Sequence, residues 1–284
     1  MLYQLSESDI ERFVEEDMPY GDLTTSLLAI GHLDGKITFT SRETTTLCCT
    51  EEAARVLEHC GASVTSCMQS GTTVDAGIVI LSANGPAGAL HAGWKVALNM
   101  LEYASGIATR TRTIVNRVTE VKPGIRVVTT RKSFPGTKKV AIKAIMAGGA
   151  LPHRLGLSES VLVFRQHTAF CGGLDHFLQT ITDVKAKTPE HKIIVEAETA
   201  EEALKIAAAG VDVVQMDKLS PEELSLLVRK LHDEAPGVTL SAAGGINAQN
   251  AAAYAETGVD ILVLSSVYFG KPSDIAVSIN PLSS

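Results

Sequence analysis

From Gly124 onward the chain keeps returning to one pattern, a short β-branched run followed by a helical run. The apolar runs are "IRVVTTR", "ESVLVFR", "HKIIVEAE", "VDVVQMD", "GVTLSAAGG" and "VDILVLSS". Between them lie helical stretches such as "DHFLQTITDVKAKTP", "TAEEALKIAAAG", "SPEELSLLVRKLHDEAP" and "NAQNAAAYAETG". Strands apolar along their whole length are buried on both faces, which is the condition of a parallel sheet covered by helices. A cycle of about 20 to 25 residues matches repeated β-α units. Either an open doubly wound sheet or a β/α barrel satisfies this pattern. No GxGxxG follows the first strand, so the dinucleotide-binding open sheet lacks its signature and the barrel is favoured.

The front half has a different texture. "SESDIERFVEEDMPYGDLTTSLL" opens on cap-type serines and continues as a short helix with Ile10, Phe13 and Val14 on one face, ending at Pro19 and Gly21. Residues 36–82 read as Gly-punctuated strands, "KITFTSRETTTLCC" and "GTTVDAGIVILSA", around one helix, "EEAARVLEHCG". From Pro86 to about Val121 the spacing is helical, with a break expected at Gly106.

In a barrel the chemistry gathers at the C-terminal ends of the strands. Those ends carry Thr130, Arg131 and Lys132, then His153 and Arg154, then Arg165, Gln166 and His167. Glu196, Glu198 and Asp217 follow, then Ala243-Gly244-Gly245, and last Ser265-Ser266. Taken singly, each has a plain reading: a surface pair, a salt bridge, a tight turn. Jointly they describe a mouth with cations on one wall and carboxylates on the other. A Gly-Gly turn opening a helix exposes N–H groups suited to a phosphate. Glu196 and Asp217 on neighbouring strands suit Mg²⁺, a hard cation that takes a few carboxylates together with substrate oxygens.

The chain carries 32 acidic and 25 basic residues, a formal charge of -7, so it offers no global positive field for nucleic acid. Arg131, Lys132, Lys138, Lys139 and Lys143 nevertheless cluster in "TTRKSFPGTKKVAIKAI". The first two are expected in the pocket. The three lysines after Pro135-Gly136 are expected at its rim or against a neighbouring subunit. Five cysteines without a CxxC pair and no secretory signal read as reduced thiols of a cytoplasmic protein, and no apolar run is long enough to cross a membrane.

Five ordered stretches carry a family resemblance: "EDMPYGDLTT", "KVALNMLEYASGIATRT", "TTRKSFPG", "AGGALPHRLGL" and "AAGGI". Together they resemble the quinolinate phosphoribosyltransferase family, over nearly the whole chain. The resemblance implies a type II phosphoribosyltransferase fold. An N-terminal α/β sandwich domain would cover 1–106, with 270–284 packing back on it, and an incomplete β/α barrel would cover 107–269. It implies a homodimer with sites shared across the interface, and transfer of phosphoribose from 5-phosphoribosyl-1-pyrophosphate to a pyridine nitrogen with Mg²⁺ and loss of carbon dioxide. Carried over, Arg131, Lys132, His153 and Arg154 would hold substrate carboxylates and pyrophosphate, with Lys132 counted among the catalytic groups. Lys95 takes the place of an arginine that reaches the neighbouring subunit's site. Glu196 and Asp217 would lie near ribose and metal, and Gly244, Gly245 and Ser265 would cup the 5-phosphate, flanked by Ala243 and Ser266.

The departures from that family pattern are specific. Thr129 stands for an aspartate, Phe164-Arg165-Gln166 for Lys-Asp-Asn, Ile194 for a glutamate and Lys218 for an asparagine. Ser241 and Ala242 replace a glutamate and a serine, and Ile142 falls where the family has a lysine, with Lys143 beside it. Arginine forks and lysine point charges are not equivalent donors. The retained dicarboxylate clamp of Arg131, His153 and Arg154, with Lys95, implies an anionic, carboxylated, nitrogen-containing acceptor, either quinolinate itself or another acid. The departures imply that its shape or charge is altered, with Arg165 as a candidate contact. The pattern resembles the ModD branch, which is associated with molybdenum transport. That association leaves a second reading, a barrel that binds a phosphorylated or oxyanionic ligand without turnover.

Overall fold

A computed structural model describes residues 4–282. Positions 1–3 and 283–284, the outer ends of the N-terminal domain and C-terminal stretch expected from sequence, lie outside the described residues. Two compact units emerge. One comprises the chain up to Arg112, Ser133–Gly149 and the stretch from Val267, and the other comprises Thr113–Lys132 and Ala150–Ser266.

The first unit is built on an antiparallel sheet in the order Ile275–Pro281, Asp34–Ser41, Val79–Pro86, Ser63–Cys67. Alternation along Asp34–Ser41 turns Ile37 and Phe39 into the core, where both are fully buried beside Leu81 and Ala83. Helix Glu7–Asp17 is capped by Ser6, whose amide and hydroxyl both donate to Asp9 Oδ2, at 3.0 and 2.6 Å. Asp22 caps the next short helix, Leu23–Leu27, by accepting the Thr25 amide at 3.1 Å.

Helix Ala87–Val121 runs unbroken for 35 residues, so the break expected at Gly106 is absent. The glycine serves a close approach instead. A Cβ there would stand 3.0–3.1 Å from backbone atoms of Lys271, Pro272 and Ser273, and the Ser273 amide donates to Glu102 O at 3.0 Å.

Lys143 also departs from expectation. It lies on helix Lys138–Ala147 at 1 % exposure and pairs with Glu52, itself 1 % exposed, and with Glu51 at 2.9 Å. Residues 140–145 are all buried, so an outward lysine has no place there. The two carboxylates, from the first turn of helix Thr50–His59, neutralise it. Lys139 is half-exposed and pairs with Asp9 at 2.6 Å.

The second unit is a seven-stranded parallel sheet. Its order is Leu151–Pro152, Arg126–Thr129, Ile261–Leu264, Thr239–Ala243, Val213–Asp217, Ile193–Ala197, Val161–Val163. Seven strands whose first and last members do not pair make an incomplete β/α barrel. Each strand is short and nearly all apolar because both faces are covered. Side chains of one face form two apolar clusters, Leu162–Ile194–Val213 with Phe164 packed on it, and Val128–Ala243–Val263. No helix among the described residues is long and apolar enough to cross a membrane.

Candidate active site

Above those clusters, at the C-terminal strand ends, opens a cavity of about 670 Å³. Its wall contains Thr130, Arg131, Lys132, His153, Arg154, Glu196, Asp217, Ala243, Gly244, Gly245 and Ser265. Residues separated by more than a hundred positions in the chain therefore meet at one opening.

Local backbone bonds place each group. Thr130 donates its amide to Leu264 O at 2.8 Å, and His153 donates to Thr129 O at 2.9 Å. These extend the pairing of strand Arg126–Thr129 on both sides and deliver Arg131 and Arg154 to the same rim. The Lys218 amide donates to Ala243 O at 2.8 Å and ties the end of Val213–Asp217 to the glycine turn. That junction is tight. Lys218 adopts φ 63, Gly244 adopts φ 90, and a Cβ on Gly244 would come within 3 Å of Asp217 Oδ1 and the Lys218 amide.

The cationic wall is short of counter-ions. Among the described residues no carboxylate lies within ion-pairing distance of Arg131, Lys132 or Arg154. Arg154 is 9 % exposed, and burial together with the Arg131 charge weakens its hold on its proton. Burial pushes the His153 imidazole below its usual range and the Arg154 charge adds to this, while Gln215 acts the other way. On the carboxylate side, burial raises Glu196 above the ordinary carboxyl range. Gln215 opposes that shift, and the charges of Asp217 and Glu198 reinforce it. Gln215 Nε2 donates to Glu196 Oε2 at 3.0 Å, and Asp217 Oδ2 pairs with Lys218 Nζ at 3.2 Å.

Five of the residues singled out from sequence fall outside this lining: Lys95, Arg165, His167, Glu198 and Ser266. Arg165, 79 % exposed, pairs with Glu198 at 3.1 Å and borders a smaller cavity of about 270 Å³ with Thr168, Glu202 and the shared Glu196. Helix Arg165–Thr168 starts at that residue and carries its side chain away from the main cavity. Ser266 Oγ donates to Ile246 O at 3.0 Å and so braces the glycine turn from behind. Lys95 is absent from the lining, and its ammonium sits 5.1 Å from the Trp94 ring.

The helix expected to open from Gly244-Gly245 begins only at Ala251 and has six residues. The turn is shaped instead by Asn247 and Asn250, whose side-chain amides both donate to Gly245 O at 3.1 Å. What this turn offers an anion is its glycine backbone, not a helix dipole.

Sequence reasoning passed over Gln215, which is 5 % exposed and lines the cavity beside Glu196. A glutamine inside an apolar strand, two positions before Asp217 and therefore on the same face, was the signal available. Among the described residues no group of three or more His, Cys, Asp or Glu side chains converges as a metal site.

Two family models match, the quinolinate phosphoribosyl transferase N-terminal domain over residues 22–105 and its C-terminal domain over 107–278. ModD of Rhodobacter capsulatus, assigned by name as a pyrophosphorylase, is 41 % identical over 251 residues, covering 88 % of this chain and 96 % of that protein. The nicotinate-nucleotide pyrophosphorylase (carboxylating) of Mycobacterium leprae is 28 % identical over 270 residues, covering 93 % of each. The solved nicotinate-nucleotide pyrophosphorylase of Francisella tularensis shares the fold with a TM-score of 0.89 at 24 % identity, covering 98 % of each chain. The fold is the type II phosphoribosyltransferase fold, and the class is that of pentosyltransferase enzymes. The chain belongs to the quinolinate phosphoribosyltransferase family.

Proposed function

We propose that the protein transfers phosphoribose from 5-phosphoribosyl-1-pyrophosphate to a nitrogen of an anionic, carboxylated ring acceptor. One observation carries the reading. Arg154 is buried without a carboxylate partner, beside Arg131 and Lys132, in a cavity whose other wall is acidic. A buried cation left unpaired costs several kcal/mol, about 3 to 5 in measured cases, so its counter-ion is supplied by the ligand.

In this reading Arg131, Lys132 and Arg154 receive the pyrophosphate, with Thr130 beside them, and His153 faces the acceptor. Ala243, Gly244, Gly245 and Ser265 hold the 5-phosphate. As pyrophosphate departs, ribose C1 gains positive character, and Glu196 and Asp217 stabilise it. Gln215 holds the Glu196 carboxylate in place.

The donor set fits Mg²⁺. Glu196 and Asp217 lie on adjacent strands; burial and then the Asp217 charge raise Glu196 above the ordinary carboxyl range, which a cation would offset, and Mg²⁺ characteristically takes one or two carboxylates together with substrate phosphates. Glu196 and Asp217 would hold the ion, which supplies neutralisation of the leaving group's charge. A homodimer in which Lys95 reaches a second copy's cavity belongs to the same reading, as does a reducing, cytoplasmic setting for the free cysteines.

The Lys218–Asp217 pair favours a second reading, because it partly occupies a carboxylate that a metal would need. There the barrel binds a phosphorylated or oxyanionic ligand, including a molybdenum oxyanion, without turnover. Calorimetry separates the two. Saturable binding of phosphoribosyl pyrophosphate with Mg²⁺ supports the transferase. Binding of molybdate, with none of the sugar pyrophosphate, supports the sensor.

A further inference from the structure

Phe164 is the large aromatic group in the cavity wall, and it is held rigidly. Beneath it pack Leu162, Ile194 and Val213. Beside it lies the His167 ring, 5.5 Å away centroid to centroid and inclined by 18°. His167 is itself pinned, because its Nδ1 accepts the Phe164 amide at 3.0 Å. A ring fixed on one side by a second ring and below by aliphatic side chains is a preorganised platform for a flat ligand.

The charge of the cavity narrows the choice of ligand. Its wall carries Arg131, Lys132, Arg154 and Lys218 against Glu196 and Asp217. A sugar phosphate bearing a pyrophosphate brings roughly five negative charges at neutral pH. Those four cations with one divalent ion bring about six positive charges, fewer than the roughly seven negative charges of the donor and the two wall carboxylates together. One more cation from a second copy would still leave no surplus for an acceptor with two carboxylates. Burial holds His153 toward its neutral form, so it adds little.

We infer that the acceptor, within the transferase reading above and resting on it, is a flat heteroaromatic ring bearing at most one carboxylate, stacked on Phe164. In the reaction the ring nitrogen's lone pair forms the bond to ribose C1 while the bond from C1 to the pyrophosphate oxygen breaks. The electron pair leaves on that oxygen, and the nitrogen takes up the positive charge. No proton, electron or carbon dioxide is exchanged.

The test compares pyridine-3-carboxylate with pyridine-2,3-dicarboxylate, titrated by calorimetry into the full chain with Mg²⁺ and pyrophosphate. Phosphoribosyl pyrophosphate is titrated separately. The monocarboxylate is expected to bind about tenfold tighter than the dicarboxylate, and Phe164→Leu, which keeps the packing and loses the aromatic face, should weaken it by about tenfold. Phe164→Lys should reverse the preference. Preference for the dicarboxylate, indifference to Phe164→Leu, or no binding of either ring would overturn the inference while donor binding leaves the transferase reading standing. Absence of donor binding would overturn both.

Discussion

The side-chain amide of Gln215 donates to Glu196 Oε2 across 3.0 Å, joining a buried neutral group on one strand to a carboxylate on the next. The bond favours the ionised carboxyl, whereas burial and the neighbouring Asp217 and Glu198 charges favour the protonated one, and the net shift is upward. If turnover needs Glu196 ionised, activity falls as pH drops through a value above the ordinary carboxyl range. Gln215→Leu removes the opposing bond, so the acid limb of the pH–rate profile should move to higher pH with the protein still folded. An acid limb that stays where it was would show that Glu196 is not the group being titrated.

In the proposed transfer the cationic wall and the acidic wall would act on opposite parts of the same transition state. Arg131→Ala and Glu196→Ala should each lower turnover by about a hundredfold or more. Thermal melts should change little, since Arg131 is exposed and Glu196 only half-buried. Near-normal steady-state rates for both would remove the assignment.

Stability has its own test in the Lys143–Glu52 pair. Lys143→Met strands Glu52 without its counter-ion at 1 % exposure, and the expected loss is about 3 to 5 kcal/mol in chemical denaturation. Adding Glu52→Leu should recover most of that loss, because an apolar pair of similar volume replaces a buried ionic one at little net cost. A single variant as stable as the parent would mean that the carboxyl finds water.

Acid should destabilise the first unit over a defined window. Asp9, through Lys139 and Ser6, is lowered to about 2. Glu51 reaches about 2 as well, where burial pushing it up is outweighed by Ser70 and Lys143. Both bind protons more weakly folded than unfolded. Their contribution is therefore whole above the ordinary carboxyl values and drains away as pH falls toward 2. Asp9→Asn and Glu51→Gln should flatten the fall in melting temperature over that range. An unchanged slope in both would argue against the shifts.

The barrel was legible from Gly124 onward because parallel strands buried on both faces write their burial directly into apolar runs, and strand ends then rank the polar residues by position. What escaped depends on contacts distant in the chain. Gly106 looks like a helix breaker until Lys271–Ser273 passes over it. Lys143 looks like one more surface lysine until Glu51 and Glu52 are brought to it. Arg165 follows a strand end as Arg131 does, yet a helix starts at that residue and turns it toward Glu198. Gln215 was masked by its own strand, where an amide among valines reads as a neutral filler.

A crystal of the protein soaked with phosphoribosyl pyrophosphate and Mg²⁺ tests the central claim most directly. The account predicts pyrophosphate against Arg131 and Arg154, ribose beside Glu196 and Asp217, and the 5-phosphate at the Gly244-Gly245 backbone. Ligand density in another cavity, or an empty strand-end mouth at saturating ligand, would contradict it.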